Sequence, residues 1–150
     1  GADEIDENDQ IIKGRGGALL REKILIYSSD EYNVLVDETK CSKTLGNVAL
    51  PIEVTKFGYI LTAKHLMSYA NHISIRTHDN GTIYTTDNNN YIFDLELKSP
   101  IGSWKELERS LKQIPGVVET GIFLNCAHRV IIGKMDGTIQ FRKANPEVKK

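Results

Sequence analysis

Between Leu50 and Phe123 the sequence switches repeatedly between two apolar periods, and this alternation limits the fold more than any other feature. "LPIEVTKF" reads as a strand with Pro51 near its start, and "ILTAKHLMSYA" (60–70) as a helix with Ile60, Lys64 and Met67 marking its faces. "HISIRT" (72–77) alternates as a strand, "HDNG" (78–81) is turn chemistry, and "TIYTTD" and "YIFDLEL" alternate around "DNNN" as a hairpin. "SWKELERSLKQI" (103–114) is the clearest helix. Ser103 and Glu106 form a capping box, and Trp104, Leu107, Leu111 and Ile114 recur along one face. Pro115 and Gly116 stop the helix, and "VVETGIF" follows as a strand. The order strand, helix, strand, strand, helix, strand predicts a split βαβ, ferredoxin-like unit over 50–121.

The flanking segments read differently. "KGRGGALLREKIL" (13–25) carries a lysine into a glycine-rich turn and on into a helix over 18–28, with Leu20, Ile24 and Tyr27 expected to pack inward. "YNVLVDETK" (32–40) holds a short apolar run, expected to be a strand of a buried parallel sheet with Lys40 just beyond its carboxyl end, where open α/β sheets hold ligands. "RVIIG-KMDG-TIQFRK" (129–143) reads as a hairpin, and "ANPEVKK" as a charged tail that frays. The expected fold class is therefore α/β. A Rossmann-like open-sheet base, incomplete in this chain, spans 1–49 and 122–150, and the small α/β unit over 50–121 is inserted into it as a lid or oligomerisation domain.

Composition narrows the function. A net charge of −1 argues against a dedicated nucleic-acid binder, and no run of 18 apolar residues offers a membrane span. The start carries no signal-peptide pattern. Cys41 and Cys126 lie far apart and read as free thiols, so a cytoplasmic location is expected. His65, His72, His78 and His128 have no metal-ligand spacing. The opening forty residues gather Asp3, Glu4, Asp6, Lys13, Arg15, Glu22 and Lys40. A glycine-rich turn opening a helix suits an anion, through free N–H groups and the helix dipole. A lone carboxylate there, Glu22 between Arg21 and Lys23, suits a group that accepts a proton. The same residues also fit a solvated surface helix in which Glu22 pairs with Arg21, Lys23 or Lys13.

Several motifs in register, "GADEID", "IKGRGGALLREKIL", "DETK", "TLGNVALPIEV", "TTDNNNYIFDLEL", "IPGVVETGIF" and "VIIGKMDGTI", resemble type A ribose-5-phosphate isomerases over nearly the whole chain. The resemblance implies interconversion of D-ribose 5-phosphate and D-ribulose 5-phosphate through a cis-enediolate, without metal or organic cofactor, in the non-oxidative pentose phosphate pathway. It also implies a homo-oligomer, dimer or tetramer. Such chemistry needs a carboxylate base, donors for the developing oxyanion and a grip on the phosphate. By resemblance Glu22 is the general base. Asp3 is a carboxylate that contacts sugar hydroxyls and steers the oxygen-bound proton, and Lys13 stabilises the oxyanion. Gly1, Ala2, Asp3, Lys13, Gly14, Arg15, Gly16 and Lys40 are the substrate contacts, with Thr39 at the family's serine position.

The chain also departs from the family pattern. Arg15 replaces a loop glycine and adds a cation near the substrate. Asn89 stands for glycine in the family's "TDNGN", a swap expected to be far from the chemistry, and His128 and Arg129 are unusual. The family's glycine–threonine phosphate loop, its first strands and the aspartate before Gly1 lie outside this sequence. The chain thus corresponds to the carboxyl-terminal two-thirds of such an isomerase. The competing reading is a non-catalytic sugar-phosphate binding module or an inactive fragment.

Overall fold

The computed structural model describes residues 1–144 and 146, and shows a mixed α/β fold. Its elements in order are β1 (Glu4–Ile5), β2 (Ile11–Ile12), α1 (Leu19–Ser28), β3 (Asn33–Asp37), a 3₁₀ turn (Glu38–Lys40), β4 (Leu50–Val54), α2 (Tyr59–Leu66), β5 (Ala70–Ile75), β6 (Tyr91–Leu97), α3 (Trp104–Lys112), β7 (Val117–Thr120), β8 (Ile122–Phe123), β9 (Arg129–Gly133) and β10 (Ile139–Lys143).

The central block forms a four-stranded sheet in the order β5-β6-β4-β7, with every neighbouring pair antiparallel. Helices α2 and α3 supply Leu66 and Leu111 to a core shared with Leu50, Ile52, Val54 and Leu95. Ser103 caps α3 by accepting the Glu106 N–H at 3.3 Å. All five residues of β4 are buried. Successive side chains of a strand face opposite ways, so Pro51 and Glu53 leave the α2/α3 core and face the glycine turn and α1. Gly14 lies against Pro51, and α1 contacts β4 and β7.

Two smaller sheets complete the fold, β1-β2-β8 and β10-β9-β3. In the latter β3 runs parallel to β9, and the expected terminal hairpin is present as β9–β10. The short sheet bridges two cores. Ile12 and Ile122 belong to the core of the four-stranded sheet, whereas their neighbours Ile11 and Phe123 pack with Ile5, Val34 and Val130. Gly121 is the crossing point. Its N–H donates to the Pro51 carbonyl at 2.8 Å, and its carbonyl accepts from the Lys13 N–H at 2.9 Å. A Cβ there would stand 2.3 Å from the Lys13 carbonyl oxygen.

Several sequence expectations are corrected. Helix α1 turns Leu19, Lys23 and Ile26 inward, while Ile24 and Tyr27 are exposed. A lysine occupies the core side of this helix because the buried Glu119 and the partly buried Glu108 receive it. Strand β3 buries only Val34 and, among the described residues, pairs with β9 alone. Helix α2 ends at Leu66, and β5 begins at Ala70. "TIYTTD" forms no strand beyond a single Thr77–Ile83 bridge. Strand β6 pairs instead with β5 and β4, because both offer longer apolar ladders. "VVETGIF" splits at Gly121 into strands of two different sheets. Apart from Ala144 and Pro146, the tail expected to fray lies outside the described residues.

Candidate functional site

The glycine turn is built by Gly14 and Gly17, which take φ of 111° and 86° and are closed by a Gly17 N–H to Gly14 carbonyl bond of 2.9 Å. The turn delivers the chain into α1, whose first turn carries Glu22. Lys13, 7% exposed, directly follows β2 and precedes the turn. Its Nζ lies 3.0 Å from Glu22 Oε1 and also donates to the Gly1 carbonyl. Of the three cations near Glu22 in sequence, the pairing partner is therefore the lysine that leads the glycine bend.

Asp3 lies beside the same turn and accepts the Arg15 N–H on Oδ2 at 2.8 Å. It lines a cleft of about 480 Å³ together with Arg15, Thr39, Lys40, Pro51, Arg76 and Asp94. A second cleft of about 490 Å³ runs from Gly1 and Ala2 past Val36 to Ile131 and shares Lys40 with the first. Lys40 thus stands where the two clefts meet, at the end of the 3₁₀ turn that follows β3. That turn is fixed by Asp37, which accepts from the Thr39 hydroxyl and N–H. These bonds, the hydroxyl's first, hold the Asp37 carboxyl below its ordinary range. Gly16 is exposed on the turn.

Residues 1–137 match the family described as ribose 5-phosphate isomerase A (phosphoriboisomerase A). The chain belongs to the ribose 5-phosphate isomerase A family. It is 41% identical over 151 residues to the ribose-5-phosphate isomerase A of Dinoroseobacter shibae, covering 97% of this chain and 58% of that protein. It is 41% identical over 138 residues to that of Thermoplasma volcanium, covering 91% and 57%. Among solved structures, ribose 5-phosphate isomerase from Plasmodium falciparum superposes with a TM-score of 0.90 at 40% identity, covering 95% of this chain and 63% of that one. A D-ribose-5-phosphate isomerase in complex with phospho-erythronic acid gives 0.88 at 36%, covering 95% and 62%. The chain therefore spans about three-fifths of the length of the isomerases it matches.

The structure brings Gly1, Asp3, Lys13, Arg15 and Glu22 together around the turn and sets Lys40 across the cleft. It adds two residues that sequence reading passed over. Arg76 donates to the carbonyls of Gly14 and Arg15 at 2.8 and 2.9 Å, and its guanidinium forks onto Asp94. The family's glycine turn is thus fixed from the four-stranded sheet. Their signal was present in the sequence: an arginine just past the end of β5 and an aspartate of opposite sign on the neighbouring strand β6, diagonal to it.

Two further expectations about departures change. The Asn89 loop is not far from the site, because Arg21 reaches it from the position next to Glu22. His128 has a structural account, since its Nδ1 accepts the Tyr32 N–H at 3.1 Å and ties the start of β9 to the segment before β3.

Proposed function

We propose that the complete protein interconverts D-ribose 5-phosphate and D-ribulose 5-phosphate through a cis-enediolate. The Lys13–Glu22 pair beside the Asp3–Arg15 turn carries this reading, set within a chain of the isomerase family. Glu22 shuttles the proton between C1 and C2. It is half-exposed and so open to substrate, and its only ion-pair partner among the described residues is Lys13. The Lys13 ammonium, held in a nearly dry position, stabilises the oxygen that becomes negative as the C–H proton leaves. Asp3 accepts sugar hydroxyls and guides the oxygen-bound proton. Gly1, Ala2, Gly14, Arg15, Gly16 and Lys40 contact the substrate, and Arg15 contributes a cation whose backbone is already clamped on both sides.

A solved relative in complex with phospho-erythronic acid supports a phosphorylated sugar acid, and hence an enediolate-like anion, as the ligand class. In this reading residues 1–49 and 122–150 form a Rossmann-like base. Residues 50–121 form a ferredoxin-like lid whose Arg76 shapes the glycine turn. The protein works in the cytoplasm as a homo-oligomer, with the phosphate grip completed by the part of the isomerase length that this chain does not span. The test is turnover by the complete protein, with ribulose 5-phosphate assayed from ribose 5-phosphate. Binding without product would overturn the reading in favour of a non-catalytic module.

A further inference from the structure

Glu53 is the next-to-last residue of β4 and 0% exposed, at a position where an apolar side chain would be the ordinary choice. Burying a carboxylate costs several kcal/mol unless donors meet it. Here the donors all come from one loop. Glu53 Oε1 accepts from Thr86 Oγ1 at 2.9 Å, Asn88 Nδ2 at 3.1 Å and Asn90 Nδ2 at 2.9 Å. Its Oε2 is buried with no partner among the described residues. The carboxylate therefore serves the 86–90 loop alone.

That loop presents its own acceptors outward, and Arg21 takes them with all three arms of its guanidinium. Nη1 donates to Asp87 Oδ2 at 2.9 Å, Nη2 to the Asp87 carbonyl at 3.0 Å and Nε to Asn88 Oδ1 at 3.1 Å. Arg21 immediately precedes Glu22 on α1. On the other side of Glu22, Lys23 is buried and bonds Glu119 Oε1 at 2.8 Å and the Thr120 carbonyl at 3.0 Å. Successive helical residues point about 100° apart, so gripping Arg21 and Lys23 fixes the rotation of α1 about its own axis. With side chains about 5–6 Å from that axis, a 10° rotation would carry the Glu22 carboxylate about 1 Å from Lys13. Errors of that size cost about 10²-fold in rate.

We infer that Glu53 is a positioning residue for Glu22: it orders the 86–90 loop, the loop grips Arg21, and Arg21 sets the rotation of the helix that presents the base. The inference rests on the reading of Glu22 as the base.

The test uses the complete protein with Glu53→Leu, Glu53→Gln, Arg21→Gln and the double variant of Glu53→Leu with Arg21→Gln, measuring kcat and KM for ribose 5-phosphate. Glu53→Leu and Arg21→Gln are each expected to lower kcat about 10- to 100-fold with KM within about twofold. The double variant should fall no further than the worse single one, since both cut the same chain. Glu53→Gln, whose amide oxygen can accept the same three donors, should recover most of the loss. The primary isotope effect with substrate deuterated at C2 should rise in Arg21→Gln. Should Glu53→Leu fail to fold, Arg21→Gln decides alone, because that side chain is half-exposed. Wild-type kcat in Arg21→Gln, additive losses, or an effect confined to KM would overturn the inference. Glu22→Gln, run alongside, separates the two claims. If it is inactive while Arg21→Gln is normal, only the positioning role falls; if it retains wild-type turnover, the assignment of the base falls and takes this inference with it.

Discussion

Lys13 Nζ and Glu22 Oε1 stand 3.0 Å apart across the mouth of the glycine turn, with the lysine side chain 8% and the glutamate 36% exposed. The asymmetry is functional under the proposed chemistry. A substrate can reach the carboxylate, whereas the ammonium is little screened by solvent, and its field is freed for an adjacent oxyanion as Glu22 takes up the proton. Replacing Glu22 by Gln should lower turnover by about 10²- to 10⁴-fold, the range for one acid–base group. The fold should remain, because Lys13 keeps the Gly1 carbonyl as a partner. Steady-state kinetics alongside a thermal melt check both halves.

Lys13→Met acts on the other partner. It removes the donor to the developing oxyanion and should lower kcat about 10²- to 10³-fold. Lys13→Arg should recover little, because a planar fork does not replace a point charge held in a closed position. The measurement is kcat/KM for the two variants against ribose 5-phosphate.

Gly121 gives a prediction from packing alone. Its Cβ would meet the Lys13 carbonyl at 2.3 Å and Pro51 Cδ at 2.9 Å, and backbone cannot step aside as a side chain can. Gly121→Ala should therefore destabilise the protein by about 1–3 kcal/mol. It should also displace β2, and with it Lys13, so activity should fall at temperatures where the variant is still folded. Denaturant titration and an assay at the same temperature distinguish the two effects.

The central block was legible because its elements carry strong, regular patterns: the capped Trp104–Lys112 helix and the alternating strands on either side of it. The candidate site was legible through its motifs, since Asp3 comes from "GADEID", Lys13 and Glu22 from "IKGRGGALLREKIL" and Lys40 from "DETK". Burial of α1 was not. Apolar spacing pointed to Leu20, Ile24 and Tyr27, whereas Lys23 faces inward, because only Glu119, Glu108 and Thr120, about a hundred residues away, make that position favourable. The reach of Arg76 to the glycine turn was hidden for the same reason. A long-range bond between a side chain and backbone carbonyls leaves no periodic trace.

The Lys23–Glu119 pair predicts a pH dependence of stability. Burial alone would push the Glu119 carboxyl up, but the Lys23 ammonium at 2.8 Å, together with the Lys23, Thr120 and Lys112 hydrogen bonds, holds it below its ordinary value of 4.5. A carboxyl depressed on folding contributes stability that is complete above that unfolded value and is lost as pH falls through the folded one. Lys23→Met should therefore lower stability at pH 7 by about 1–3 kcal/mol and flatten the loss on acidification to pH 3.5. Urea titrations of both proteins at the two pH values give the comparison. Parallel acid slopes would show that the pair is not what stabilises Glu119 in its ionised form.

The two thiols should separate cleanly by reactivity. Cys126 is buried among Ile5, Val34, Phe123 and Val130, and that burial pushes its thiol up to about 11. At pH 8 only about one part in a thousand would be thiolate, the reactive form. Cys41 is exposed on the far side of the 3₁₀ turn from Asp37. An alkylating reagent at pH 8 should modify Cys41 in the native protein and reach Cys126 only after denaturation, as read by peptide mass. The outcome bears on the site itself. Cys126 shares its core with Ile11 and Phe123, the strand residues that hold Lys13 in register. Rapid labelling of Cys126 in the folded protein would mean that this core opens, and that Lys13 is not held as firmly as the proposed chemistry requires.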